Sequence, residues 1–136
     1  MILLKQPDVG PIVGEVTASR ARLFVRADRG CETCRRHAVA RFCRVTARGL
    51  GEPEYRIAKV NTNFDDTAII VAEGLRENTT YQYQVGWFDT ESDTGDLDVG
   101  RLDFDFSRTD ARTFTTATAA DNVTPRTFYV GSCRYN

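Results

Sequence analysis

The chain has 136 residues, of which 41% are hydrophobic, 10% aromatic and 27% charged. This length provides for one hydrophobic core and one small site, which excludes a two-domain enzyme with a large catalytic pocket. The formal net charge of -1 excludes the strongly basic class of proteins that bind nucleic acid through its phosphates.

The N-terminal segment, residues 1–7, lacks the charged region and the small-residue cleavage site of a secretory signal. No run in the sequence approaches the roughly 18 consecutive apolar residues of a membrane span. We therefore expect a cytoplasmic protein with no membrane partner. In that compartment the four cysteines are expected as reduced thiols or metal ligands rather than disulfides.

Apolar and polar residues alternate with a period of two along most of the chain, which predicts β-strands rather than helices. The clearest alternation lies in residues 21–26, 81–87 and 102–106. Further strands are predicted over residues 11–17, 40–47, 54–60, 67–72, 112–118 and 126–130. This succession of short strands predicts an all-β, two-sheet sandwich of the immunoglobulin or fibronectin type III kind.

A tyrosine corner supports this fold prediction. Leu75, Thr79, Tyr81, Tyr83 and Val85 follow the spacing of the turn that leads into the sixth strand of such sandwiches. In a tyrosine corner the first ring packs in the core, and its hydroxyl bonds a backbone group a few residues upstream.

Positive and negative residues are concentrated in different segments. Residues 20–48 contain nine arginines and two acids, whereas residues 89–110 contain eight acids and two arginines. If the strands are lettered A to G, the B–C and F–G loops lie at the same end of the sandwich. We therefore expect the two segments to face and neutralise each other, which contributes to orientation and solubility.

The last residues do not fit the sandwich pattern. A small, polar linker over 119–125 is followed by an apolar run that enters Gly-Ser-Cys at 131–133. We therefore predict a sandwich over 7–118, a linker over 119–125 and, over 126–136, the first strand of a further domain. Alone, that strand is a free edge through which the chain is able to self-associate.

Four segments together resemble the N-terminal part of alkaline phosphatase D (PhoD-like) phosphatases and phosphodiesterases. They are GPIVGEVT at 10–17, SRARLFVRAD at 19–28, GLRENTTYQY at 74–83 and FYVGSCRY at 128–135. The resemblance lies in the order of the motifs and extends from about Val9 to the last residue.

The resemblance implies a non-catalytic sandwich that packs on a metal-dependent phosphoesterase domain and shapes its substrate cleft. In the family that domain uses iron and calcium, and the motif match places Cys133 on the iron. The remaining Asp, Asn, His and Tyr ligands that such a centre needs are not supplied by this chain. We therefore expect no activity from the chain alone, and we expect its own catalytic domain as its partner. Family members are often exported.

A second hypothesis is a free-standing module that binds a protein or a carbohydrate through its B–C and F–G loops. The last residues distinguish the two hypotheses. If Phe128 and Val130 complete the sandwich core, the binding module is favoured. Under either hypothesis, the alternative role for Cys133 within the isolated chain is that of a small apolar residue at a strand end.

Cys31, Cys34, His37 and Cys43 form a second group of potential ligands. Three thiols and an imidazole at this spacing are able to form a tetrahedral zinc site. The alternatives are a loop disulfide in an exported relative or reduced thiols without a ligand role.

The acidic run from Asp89 to Asp98 imitates a calcium-binding loop. However, Thr94 and Gly100 stand where an EF-hand requires Gly and Glu. We interpret the run as a solvated F–G hairpin.

Overall fold

The computed structural model describes residues 1–29, 35–90, 99–119, 125, 127 and 129–131. These residues form ten strands: β1 (Ile2–Leu3), β2 (Val9–Val16), β3 (Ala21–Arg26), β4 (Arg35–Thr46), β5 (Gly49–Leu50), β6 (Glu54–Lys59), β7 (Thr67–Ala72), β8 (Thr80–Thr90), β9 (Phe104–Asp105) and β10 (Arg112–Thr115). Short 3-10 helices occupy Thr62–Phe64 and Val99–Arg101. No helix within these ranges is both long enough and apolar enough to cross a membrane.

The longer strands pair into two antiparallel sheets. One sheet contains β2, β3 and β7 in that order, and the other contains β10, β8, β4 and β6, with β5 paired to the end of β4. The predicted all-β sandwich is confirmed. Three main strands lie in one sheet of the sandwich and four in the other.

The principal core lies between the two sheets. In β3, alternate residues point into it, because Ala21, Leu23 and Val25 are buried while Arg22 and Phe24 lie on the other face. The second sheet contributes larger side chains to the same core, including Phe42, Tyr81, Tyr83, Val85, Trp87 and Phe114. Burial of this apolar surface is the main stabilising contribution to the fold.

The tyrosine corner forms as predicted. The buried Tyr81 hydroxyl accepts a hydrogen bond of 2.9 Å from the backbone N–H of Arg76. Its ring stacks on Phe114 of β10 at a centroid distance of 5.7 Å, and Leu75 is buried beside it. The corner therefore ties the segment before β8 to the core.

A second apolar cluster covers the opposite face of the four-stranded sheet. Its buried members are Leu4, Val39, Phe88 and Phe106. Parallel pairing of β1 with β9 places both of these short strands over that face. The sheet is consequently buried on both sides, which the alternation of 81–87 did not predict.

The N-terminal segment crosses the sheet beside β8. Lys5 and Trp87 exchange two backbone hydrogen bonds, of 2.9 and 3.0 Å, and Leu4 is fully buried. Gly86 permits this crossing, because a Cβ atom at its position would lie 2.6 Å from the Leu4 Cβ. The packed body of the sandwich therefore begins before residue 7, where the sequence pattern placed its start.

Some strands differ in length from their predictions. The strand expected over 102–106 is limited to Phe104–Asp105, because its partner β1 has only two residues. The strand expected over 112–118 ends at Thr115, and the one expected over 40–47 begins at Arg35.

The strand expected over 126–130 is not formed at Thr127, Tyr129 or Val130. Tyr129 and Val130 are each 96% exposed and belong to neither apolar cluster.

Candidate functional site

The candidate site lies at one end of the sandwich, where β3 ends and β4 begins. The end of β8 lies at the same place, because Arg36 of β4 and Asp89 of β8 are cross-strand partners. The adjoining residues 30–34 and 91–98 lie outside the described ranges.

Arg36 is the centre of this end and is only 5% exposed. Its guanidinium lies 3.2 Å from carboxylate oxygens of both Asp28 and Asp89, and 4.0 Å from the carboxylate of Asp66. It also donates a hydrogen bond to the carbonyl of Asp28. Three carboxylates thus surround one buried cation, which offsets the cost of removing it from water.

The Trp87 ring lies against two cations. The guanidinium carbon of Arg36 is 4.6 Å from the ring centroid, and the Lys5 ammonium is 4.4 Å from it. Lys5 also pairs with Asp89 at 3.1 Å, and the indole N–H donates to the carbonyl of Gln6. The aromatic ring therefore joins the N-terminal segment to the charged cluster.

A second group of ion pairs lies beside the first. Arg26 reaches both Asp8 and Asp65, at 3.2 and 3.3 Å, and Arg29 also contacts Asp65. The hydrogen bond with Asp8 is the main cause that raises the pKa of Arg26. Because water screens exposed pairs of this kind, they contribute little to stability.

Arg20 and Arg26 of the basic segment pair with acids outside the acidic segment. The predicted contact between the two segments is seen in one pair, that of Arg36 with Asp89. That pair also assigns a structural role to the first residue of the acidic run 89–98. The other residues of the calcium-like pattern, 91–98, are outside the described part of the chain.

His37 and Cys43 lie on the same face of β4 and are six residues apart. The pairing of β4 with β8 continues without a register shift through both positions, so they are about 20 Å apart along the strand. A zinc ion holds its ligands at about 2.0–2.3 Å. A separation of that length does not suit one four-ligand zinc site. Cys31 and Cys34 lie outside the described ranges, so the zinc hypothesis for the three cysteines and His37 stays a prediction.

Both described members of that group have local packing roles. His37 stacks on Phe88 at 5.9 Å, and its Nδ1 lies 3.5 Å from the Thr90 hydroxyl. Cys43 is a buried free thiol, and burial raises its pKa, which keeps it protonated and poorly reactive.

Cys133, the residue placed on iron by the family resemblance, also lies outside the described ranges. Within those ranges, no group of three or more His, Cys, Asp and Glu side chains is arranged to hold a metal ion. The iron and calcium implied for the family therefore find no ligand set among the described residues.

No family model and no curated protein matches the chain. A solved structure of similar shape is the sensor domain of the anti-sigma factor RsgI4 in Pseudobacteroides cellulosolvens. The two chains share 14% identity with a TM-score of 0.42, and the match covers 82% of this chain and 100% of the other. This degree of likeness assigns neither family nor function.

Proposed function

We propose that this chain is the non-catalytic β-sandwich domain of a PhoD-like, metal-dependent phosphatase or phosphodiesterase. In this role it packs on the phosphoesterase domain and shapes the substrate cleft. The proposal combines the order of the four motifs, from residue 10 to residue 135, with one structural observation on the last of them.

That observation is the exposure of Tyr129 and Val130. Both belong to an apolar run, yet they contribute to neither cluster of the sandwich. Apolar side chains gain free energy when they are removed from water, so this run is suited to burial in a second body. A free-standing module would be favoured by Phe128 and Val130 in the sandwich core. Val130 is exposed and Phe128 lies outside the described residues, so the exposure of Val130 supports the phosphoesterase proposal.

The charged end of the sandwich fits a supporting role. Arg36, Asp28 and Asp89 are engaged with one another across the two sheets, so their charges fix the geometry of the loop end. Hydrolysis of the phosphate ester is assigned to the other domain, and no catalytic step is derived for the residues described here.

The test is an assay of the product of the full reading frame that encodes this chain. With added iron and calcium, it is expected to hydrolyse p-nitrophenyl phosphate or bis(p-nitrophenyl) phosphate. Cys133→Ser is expected to lower activity at least about a hundredfold, as loss of a metal ligand does. Cys43→Ser is the matched control, because this thiol is a buried packing group of β4.

Two results would contradict the proposal. One is a full product that hydrolyses neither ester under these conditions. The other is a reading frame that encodes no metal-ligand motifs after the sandwich.

A further inference from the structure

The outer face of the sheet formed by β2, β3 and β7 carries an exposed apolar stripe, which we define as Ile12, Phe24, Ile69 and Val71. Ile12 is the cross-strand partner of Phe24, and Phe24 is that of Ile69, so these three side chains form one row across the strands. Val71 lies two residues from Ile69 and therefore on the same face. Ile12 is 51% exposed, Ile69 57% and Val71 38%. A contiguous apolar patch on a folded surface is typical of an interaction site.

Charged pairs lie at both ends of the stripe. Glu15 pairs with Arg22 at one end, and Arg26 pairs with Asp8 and Asp65 at the other. Because these charges are engaged with one another, the stripe presents an apolar centre within a polar rim. That composition is typical of a surface that contacts another folded protein body.

The two outer faces of the sandwich differ in their cover. The outer face of the four-stranded sheet lies under β1 and β9 and contains the second apolar cluster. In the described part of the chain, no such pair of strands lies over the stripe. Tyr129 and Val130 of the C-terminal run are 96% exposed, so they do not cover it either.

The chain leaves the sandwich beside this sheet. After β10, the Ala117 N–H donates a hydrogen bond of 3.2 Å to the carbonyl of Thr17, which directly follows β2. The strand β7 ends at the same place, because Val16 and Ala72 are both cross-strand partners of Ala21. The segment that follows β10 therefore departs from one end of the stripe.

The linker expected over 119–125 is short enough to hold the next domain beside the stripe. Ile12 lies five residues from Thr17, about 17 Å along the strand, and seven residues reach at most about 25 Å. Such a tether raises the local concentration of a following domain to about the millimolar range, whereas a second copy has to associate from solution. The tethered domain is therefore the occupant that this geometry favours.

We infer that the phosphoesterase domain packs its own apolar surface on the stripe of β2, β3 and β7. This inference rests on the proposed function, because it requires such a domain after the linker. It assigns the contact between the two domains to the outer face of the three-stranded sheet, away from the face that β1 and β9 cover.

Hydroxyl-radical footprinting, which measures how fast exposed side chains are oxidised, compares the 136-residue chain with the product of the full reading frame. Ile12, Phe24 and Ile69 are expected to react at least about fivefold more slowly in the full product, because the centre of an interface excludes water. Leu50 of β5, which is 54% exposed, is the control and is expected to react equally fast in both.

Two matched variants of the full product extend the test. Ile69→Lys places a charge in the centre of the stripe and is expected to restore the reactivity of Ile12 and Phe24 to that of the 136-residue chain. Leu50→Lys places the same charge at similar exposure outside the stripe and is expected to leave both side chains protected. Equal restoration by the two variants would overturn the inference.

Three further outcomes are decisive. A full product that hydrolyses the esters while its stripe reacts as fast as in the 136-residue chain would overturn the inference and leave the proposed function standing. A full product without hydrolytic activity would contradict the proposed function, and the inference with it. Slower oxidation of the stripe in the 136-residue chain at rising concentration would indicate a second copy on this face and would also overturn the inference.

Discussion

Loss of the Tyr81 hydroxyl is expected to lower the stability of the fold. In Tyr81→Phe the Arg76 N–H loses its partner while the ring keeps its place against Phe114. We expect a loss of about 1–2 kcal/mol in the free energy of unfolding, measured by chemical denaturation. Tyr55→Phe is the control, because this ring lies at the edge of the second cluster and is partly exposed. An equal loss in both variants would show that the hydroxyl bond has no special role.

Glu15 makes the stability of the fold depend on pH in acidic solution. The hydrogen bond from Arg20, 2.7 Å long, is the main cause that lowers the pKa of this carboxyl. The carboxyl of Glu15 has a lower pKa in the folded state than in the unfolded state. The stabilisation from its bond with Arg20 is therefore fully present at pH values above the unfolded pKa. It is lost as the pH falls through the lower, folded value.

We therefore expect Glu15→Gln to be less stable than the wild type at pH 7, with the difference closing as the pH falls below about 4. Thermal unfolding at several pH values measures this difference. Glu52→Gln serves as the control substitution at an exposed glutamate. A constant difference for Glu15→Gln across the range would refute the assignment.

At the scale of elements, the crossing of β8 by the N-terminal segment depends on Gly86. In Gly86→Ala the new methyl would lie 2.6 Å from the Leu4 Cβ and 3.0 Å from the Thr109 Cγ2. We expect a destabilisation of about 1–3 kcal/mol and faster hydrogen exchange at the Lys5 amide.

Gly14→Ala is the matched strand variant, because the nearest atom lies 3.7 Å from the position that its new Cβ would take. It is expected to change stability by less than about 1 kcal/mol. Unchanged exchange at Lys5 in Gly86→Ala would mean that the segment does not need a glycine at the crossing.

The strands also show which features of the fold the sequence pattern predicts. The bounds of β3 and β7 agree with the predicted 21–26 and 67–72, because each strand buries one face and alternation records one buried face. The second cluster escaped prediction because β4 and β8 are buried on both faces. Alternation of apolar and polar residues indicates one buried face of a strand. It does not show which residues cover the other face.

The candidate site was predicted only in outline. The unequal distribution of charge indicated that two segments would meet, but the choice of Arg36 among nine arginines follows from its register with Asp89. Spacing in sequence also did not show that His37 and Cys43 share one continuous strand, which separates two of the four ligands of the zinc hypothesis. Local sequence does not reveal such long-range pairing.

At the scale of the whole molecule, Arg36 joins the two sheets. Asp28 and Asp66 adjoin the three-stranded sheet, whereas Arg36 and Asp89 belong to the other. In Arg36→Met the carboxylates lose their shared cation, and we expect a loss on the order of 3 kcal/mol in unfolding free energy. Urea denaturation provides the measurement.

Arg29→Met is the comparison for this prediction, since its guanidinium is well exposed and pairs at the surface with Asp65. Its cost is expected to stay within about 1 kcal/mol. If the two substitutions lowered the free energy of unfolding by similar amounts, the buried position of Arg36 would add nothing to the contact between the sheets.

The parallel pair of β1 and β9 has a consequence for biosynthesis. Ile2 leaves the ribosome well before its partner Phe104, which follows about 100 residues later. Until then, the second cluster lacks Phe104 and Phe106. The outer face of the four-stranded sheet is therefore completed only after almost the whole sandwich has been synthesised.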